Sequence, residues 1–221
     1  MSARTATWGV PLALVALGTV PVVAGSLRVV GLAGGADLMP ADARYAASPL
    51  PVVLHIVSGT VFALLGALQF SPGFRRRHPG WHRRAGRLLV AAALVLALSA
   101  LWLNQFFPNA EASRGVLYPL RVAFGLGMMV TILLGFAAIR RRDVVRHRAW
   151  MMRSYAIGLV AGTQVLTLGL GRALLGDEEV TVALLMVAAW AINLTVAEVA
   201  VRRPARRRRR TPAVPALSGS R

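Results

Sequence analysis

Residues 75–87 read RRRHPGWHRRAGR, and residues 140–153 read RRRDVVRHRAWMMR. Each stretch contains an arginine triplet, four further residues and a His-Arg pair, and the second stretch begins 65 residues after the first. Long apolar stretches flank both, so the pattern predicts the corresponding loops of two duplicated helix hairpins in a membrane. His82 and His147 should then lie on the same side of the bilayer, within reach of a shared ligand.

Apolar residues make up 56% of the 221-residue chain. They are grouped into blocks of about 20 residues, the length at which a helix crosses a hydrocarbon core of ~30 Å. The blocks lack the two-residue alternation of barrel strands. The sequence therefore predicts an all-α integral membrane protein with six transmembrane helices, in which helices 2–3 and 4–5 form a parallel duplicated hairpin repeat. The six predicted helices cover residues 8–27, 52–70, 88–107, 116–139, 154–175 and 180–201.

These helices divide the chain into four segments. Residues 1–50 are predicted to hold the first transmembrane helix and an extracytoplasmic loop, and residues 51–175 the four-helix duplicated core. Residues 176–203 hold the sixth helix, and residues 204–221 form an arginine-rich cytoplasmic tail that we expect to be disordered. A cleaved signal peptide is the alternative for the first helix, but its apolar stretch is long for one, so we expect the helix to be retained.

Arginine is distributed unevenly over the two sides of the predicted bundle. The loops after the second and fourth helices and the segment after the sixth hold most of it, so that 21 of the 26 arginines, Arg4 included, share one side. By the positive-inside rule both termini are cytoplasmic, in the inner membrane of a bacterium. We therefore interpret the net charge of +18 as a topology signal and expect no nucleic-acid partner. The predicted partners are the lipid bilayer and anionic lipid head groups, and the oligomeric state is left open.

Several kinds of chemistry lack the residues they need. The chain has no cysteine, which excludes thiolate-held iron–sulfur clusters, disulfides and covalent haem attachment through cysteine. It also has no HExxH, GxSxG or Walker motif and no carboxylate pair inside a predicted helix, so hydrolysis and nucleotide chemistry are not indicated. We expect no enzyme. A purely structural membrane protein and a small transporter stay open as alternatives.

Small residues recur at four-residue spacing in three of the predicted helices, a pattern that lets helices approach closely in lipid. It predicts a bundle centred on helices two to five. The residues concerned are Gly59, Ala63 and Ala67 in helix two, Gly127, Thr131 and Gly135 in helix four, and Gly158 and Gly162 in helix five. Polar side chains inside the helices are expected to form interhelical hydrogen bonds; these are His55, Gln69, Gln164, Asn193 and Glu198.

The His/Arg stretches are the candidate functional site, and three interpretations apply to them. In the first, an anionic lipid head group binds there, with Arg83, Arg87, Arg148, Trp150, Arg153 and Gln69 as candidate contacts beside His82 and His147. In the second, His82 and His147 are the axial ligands of haem b, with His55 as a further candidate cofactor-binding residue. In the third, the histidines only cap helices. No metal site other than haem iron is indicated.

Three strings carry a family resemblance: HIVSGTVFALLGALQF at residues 55–70, HRRAGR at residues 82–87 and HRAWMMRSYA at residues 147–156. Over about residues 50–175 the chain resembles the bacterial predicted membrane proteins grouped as domain of unknown function 2306. The resemblance implies a multi-helix membrane protein without a settled activity. It also implies an arginine in the middle of the fifth helix, where this chain has Gln164.

Overall fold

The computed structural model describes residues 5–36, 38–40, 42–107 and 115–202. Arg4 and the predicted tail at residues 204–221 lie outside these ranges. Within them the chain forms helices only: α1 (Thr5–Leu32), α2 (Ala43–Ala47), α3 (Pro49–Gln69), α4 (Pro72–Arg77), α5 (Pro79–Phe106), α6 (Leu117–Arg140), α7 (Val144–Gly158), α8 (Val160–Leu175) and α9 (Glu179–Arg202).

Five of these helices, α1, α3, α5, α6 and α9, are long and apolar enough to cross a membrane. Helices α7 and α8 meet at an angle of 41° and add a sixth span if the pair is counted as one. Large apolar side chains such as Leu98, Leu133 and Leu166 are exposed on the spans, as expected for surfaces that face lipid. The predicted all-α membrane fold is therefore confirmed, with five or six spans in the described residues.

The fifth predicted helix, residues 154–175, is not one straight helix. It begins earlier, at Val144, because the Asp143 side chain caps α7 by accepting a hydrogen bond of 3.0 Å from the Arg146 amide. It is interrupted after Gly158, where the Gly162 amide donates to the Leu159 carbonyl at 3.2 Å. This tight turn, between two glycines with low helix propensity, accounts for the bend.

Two short helices, α2 and α4, were not predicted, and α5 begins at Pro79, nine residues before the predicted start. Proline suits the first turn of a helix because that turn has no intrahelical acceptor for the missing N–H. The start at Pro79 places His82 in the first turn of α5.

Close contacts at small residues hold the bundle together. Gly66 faces the ring of Tyr155, and the Tyr155 hydroxyl donates a hydrogen bond of 2.7 Å to the Ala63 carbonyl, which joins α7 to α3. Gly135 in α6 faces Trp150 and Met151 in α7. Of the small residues predicted to lie at helix contacts, Gly135, Gly158 and Gly162 do so, and Gly66 is a further one that was not predicted. The bundle extends beyond helices two to five, because α1 packs on α3 and α8, and α9 packs on α7 and α8.

The succession of antiparallel spans gives the molecule two ends. The arginine-rich end consists of α4, the first turns of α5, the turn between α6 and α7, and the end of α9. The opposite end carries α2, the end of α5 and the start of α6.

Candidate functional site

His147 lies in the first turn of α7, at the arginine-rich end. Its Nδ1 is 2.9 Å from the backbone carbonyl oxygen of Gly135 in α6. Because a carbonyl only accepts, Nδ1 carries the proton and donates it to this bond. The neutral ring therefore has its lone pair on Nε2. The Asp143 cap and the Gly135 contact together fix the position of the ring.

His82 lies in the first turn of α5 and is half-buried. Its Nδ1 is fully buried and has no hydrogen-bond partner among the described residues. His82 and His147 therefore both stand in the first turn of a helix at the arginine-rich end of the molecule.

Two further polar side chains at this end are buried and lack hydrogen-bond partners. Both amide atoms of Gln69, the last residue of α3, are unpaired within the described part of the chain. The same holds for the hydroxyl of Ser154, which is completely buried two turns after His147 on the same face of α7. Ser154 was not predicted as a site residue, although its spacing from His147 was the available signal.

The candidate arginines have different surroundings. Arg83, Arg87 and Arg148 are exposed and form no ion pair with any described carboxylate. Arg153 is instead paired with Glu198 in α9 at 2.8 Å, and its guanidinium lies over the Trp150 ring, 4.8 Å from the centroid. Arg153 therefore joins α7 to α9, with its guanidinium over the ring of Trp150 in its own helix. Among the candidate arginines, Arg83, Arg87 and Arg148 are the ones available to a ligand.

His55 lies near the start of α3, so it is remote from the other two histidines. Gln69 is 14 residues further along the same helix, which corresponds to about 21 Å of helix axis. The Nδ1 of His55 is 3.2 Å from the Ser99 hydroxyl in α5, and that hydroxyl donates to the Leu96 carbonyl at 3.0 Å. The Nδ1 of His55 is therefore the donor to Ser99, and its Nε2 has the lone pair.

A cavity of about 290 Å³ lies beside His55, in the half of the bundle away from the arginine-rich end. Neither His82 nor His147 lines it. Its polar wall residues come from six helices and include Tyr45, His55, Asn104, Arg121, Gln164 and Trp190. Arg121 is the member that the sequence analysis missed as a site residue; an arginine inside a predicted apolar helix was the signal that could have found it.

Tyr45, which lines the cavity, belongs to the short helix α2. The guanidinium groups of Arg28 and Arg44 lie 5.7 and 5.8 Å from the centre of the Tyr45 ring. A side-chain hydrogen bond from Arg44 lowers the pKa of Asp42, which also caps α2. Asp42 therefore stays ionised and holds Arg44 beside the aromatic ring.

The fold and these two clusters define a polytopic helical membrane protein with polar groups at both ends of its bundle. No group of three or more potential metal ligands occurs in the described residues. The chain belongs to the family described as "Predicted membrane protein (DUF2306)", whose model matches residues 52–201. The resemblance noted in the sequence is confirmed by this match, which also takes in α9. No curated protein and no solved structure matches the chain.

Proposed function

We propose that the arginine-rich end binds the anionic head group of a lipid. The observation that carries the proposal is the combination of buried polar atoms without partners, on Gln69, His82 and Ser154, with exposed arginines that no described carboxylate neutralises. A buried polar group without a hydrogen bond costs roughly 1–3 kcal/mol, and a ligand that supplies the bond recovers that free energy.

A phosphate group suits this set of side chains. Its oxygens accept hydrogen bonds and carry negative charge, so Arg83, Arg87 and Arg148 can pair with it. The Gln69 amide and the Ser154 hydroxyl are neutral donors. His147 would donate to the phosphate through Nε2 only in its doubly protonated form, because its Nδ1–H is already bonded to the Gly135 carbonyl.

The proposal includes an orientation. Arginines near the ends of spans favour the cytoplasmic side, so the arginine-rich end and both termini would be cytoplasmic, in the inner membrane of a bacterium. We also propose that the helix pairs α3–α5 and α6–α7 are duplicated hairpins. The two helices of each pair pack together and are connected at the arginine-rich end, and each pair supplies one histidine, His82 or His147, to that end.

Two double variants test the head-group site. Arg83→Gln with Arg148→Gln removes two charges from the proposed site. Arg76→Gln with Arg141→Gln removes two exposed charges from the same end, outside it. Binding of phosphatidylglycerol and of zwitterionic phosphatidylcholine is titrated by native mass spectrometry of the detergent-solubilised protein. At about 1 kcal/mol per arginine, the first pair should weaken phosphatidylglycerol binding roughly 30-fold. An equal loss in both pairs would mean general surface attraction and no site.

A second pair of variants tests the histidine. His82→Ala should weaken phosphatidylglycerol binding, because it removes the ring whose buried Nδ1 has no partner among the described residues. His78→Ala should not, since His78 is exposed and packs on the Phe74 ring, 4.9 Å between centroids. Equal binding by the two variants would exclude His82 from the site.

Binding of haem b is the second candidate, and the bond from His147 to the Gly135 carbonyl favours it. Histidines that bind metal usually donate their other ring N–H to a carbonyl or carboxylate, which leaves Nε2 free for the metal. The test is a reduced-minus-oxidised visible spectrum of protein expressed with haem supplied. A b-type spectrum that is lost in both His82→Ala and His147→Ala would establish haem and displace the lipid proposal. If the folded protein is colourless, the haem interpretation is rejected.

A further inference from the structure

The wall of the cavity beside His55 includes the guanidinium of Arg121. Arg121 in α6 is half-buried in its wall and forms no ion pair with any carboxylate in the described ranges. The recorded contact of its guanidinium is to the thioether sulfur of Met186 at 4.0 Å, and a thioether is a weak acceptor. A charge in an apolar helical span is unfavourable unless it is paired or reaches water.

Two other donors of the cavity wall have no acceptor among the described residues. These are the Nε2 of Gln164 in α8 and the Nε1 of Trp190 in α9, and both are buried. Trp190 is only 6% exposed, and its ring is stacked on Phe124 at 4.0 Å between centroids. Its orientation is therefore fixed. Cation, amide and indole come from three different helices and line the same space.

The bend between α7 and α8 accounts for this space. Helix α7 packs closely on α6, but beyond the bend α8 packs on α1 and α9. The cavity lies where the axis of α8 diverges from that of α7, with α5 and α6 on one side and α8 and α9 on the other. Most of the remaining wall is apolar and includes Leu96, Phe124, Met128, Ile157 and Val160.

We infer that this cavity binds the carboxylate of an amphiphile with an apolar chain, such as a fatty acid. One guanidinium is neutralised by one negative charge. A carboxylate can accept hydrogen bonds from the Arg121 guanidinium and from the neutral donors Gln164 and Trp190 at the same time. The volume of about 290 Å³ is at the lower end for ligand sites. The cavity encloses the carboxylate and the first part of the apolar tail of the fatty acid, and the remainder of that tail lies against the lipid-facing surface of the protein. This site is independent of the proposed head-group site at the arginine-rich end.

The test is photolabelling of the full-length protein in phosphatidylcholine nanodiscs with a diazirine-bearing fatty acid, followed by mapping of the labelled peptides. Labelling should fall on α5, α6 and α8 and should be displaced by dodecanoate. Uncharged dodecanol and the neutral carbonyl compound decylubiquinone should not displace it. Displacement by decylubiquinone as strong as by dodecanoate would overturn the carboxylate assignment, and labelling outside the cavity would overturn the site.

Two arginine variants at the cavity end of the molecule, Arg121→Gln and Arg172→Gln, provide the test and its matched control. Arg121→Gln should weaken labelling by about tenfold or more, the loss expected for a charged hydrogen bond. Arg172→Gln should not, because Arg172 is exposed on α8 and paired with Asp177 at 2.8 Å. Arg121→Lys keeps the charge but lacks the guanidinium group that can donate two parallel hydrogen bonds, and it should retain part of the labelling. It provides the test if Arg121→Gln fails to fold. Equal labelling of Arg121→Gln and Arg172→Gln, or no labelling of Arg121→Lys when it folds, would overturn the inference.

Discussion

Adding one methyl group at Gly162 should force α1 and α8 apart. Gly162 is buried in α8, opposite the backbone carbonyl of Leu17 in α1. A Cβ at this position would lie 2.9 Å from the Leu17 carbonyl carbon and closer still to its oxygen. Backbone atoms cannot rotate aside as a side chain can. We therefore expect Gly162→Ala to destabilise the protein.

The matched control is Gly169→Ala, about two turns further along the same helix, where an added Cβ meets no described atom within 4 Å apart from the adjacent backbone of its own helix. Both substitutions gain about 0.5–1 kcal/mol because alanine favours the helix more than glycine does. Only Gly162→Ala also incurs the overlap, and overpacking typically costs about 1–3 kcal/mol. The difference in unfolding free energy between the two variants isolates the overlap and should be about 1–3 kcal/mol.

The assay is reversible unfolding in mixed micelles with increasing dodecyl sulfate, followed by tryptophan fluorescence and circular dichroism. Gly169→Ala should be at least as stable as the wild type, and Gly162→Ala should be the less stable of the two. Equal stability would refute the close approach of α1 and α8. The comparison also tests whether the first helix is retained, because a cleaved signal peptide could not be displaced by the new methyl group.

Two further substitutions should change stability in opposite directions in the same assay. Tyr155→Phe removes the hydroxyl that donates to the Ala63 carbonyl and should cost roughly 0.6–1.7 kcal/mol, the range for hydrogen bonds between helices in a membrane; no loss would mean that this bond contributes nothing. Gln164→Leu removes a buried amide donor that has no acceptor in the described part of the chain, and should stabilise the ligand-free protein by about 1–3 kcal/mol. A destabilised Gln164→Leu would show that the amide is satisfied within the fold.

The spans could be predicted from the sequence because each apolar block has to satisfy its own backbone within the bilayer. The roles of Asn193 and Glu198 could also be predicted, since polar groups in lipid require partners. Both form the expected interhelical bonds: the Asn193 side-chain amide donates to the Ala156 carbonyl at 3.0 Å, and Glu198 pairs with Arg153. The bend at Gly158 was missed because a hydropathy block does not distinguish a bent span from a straight one.

The cavity could not be predicted for a different reason. Arg121, Gln164 and Trp190 are far apart in the sequence, so no local pattern relates them. An arginine near the end of a predicted span indicates topology, and a glutamine inside one predicts an interhelical hydrogen bond. Only the packing of α6, α8 and α9 shows that all three line one space.

Neighbouring residues of α8 show why this cavity differs from an ordinary helix interface. The Thr163 hydroxyl donates to the Asn193 side chain at 2.7 Å, so this part of the contact with α9 is satisfied. Gln164, the next residue, faces the cavity, and its Nε2 has no acceptor among the described residues. Each such donor lowers the stability of the free protein by roughly 1–3 kcal/mol, and a ligand that accepts from it returns that free energy on binding. The groups that weaken the empty bundle are therefore the same groups that would supply the affinity for a carboxylate.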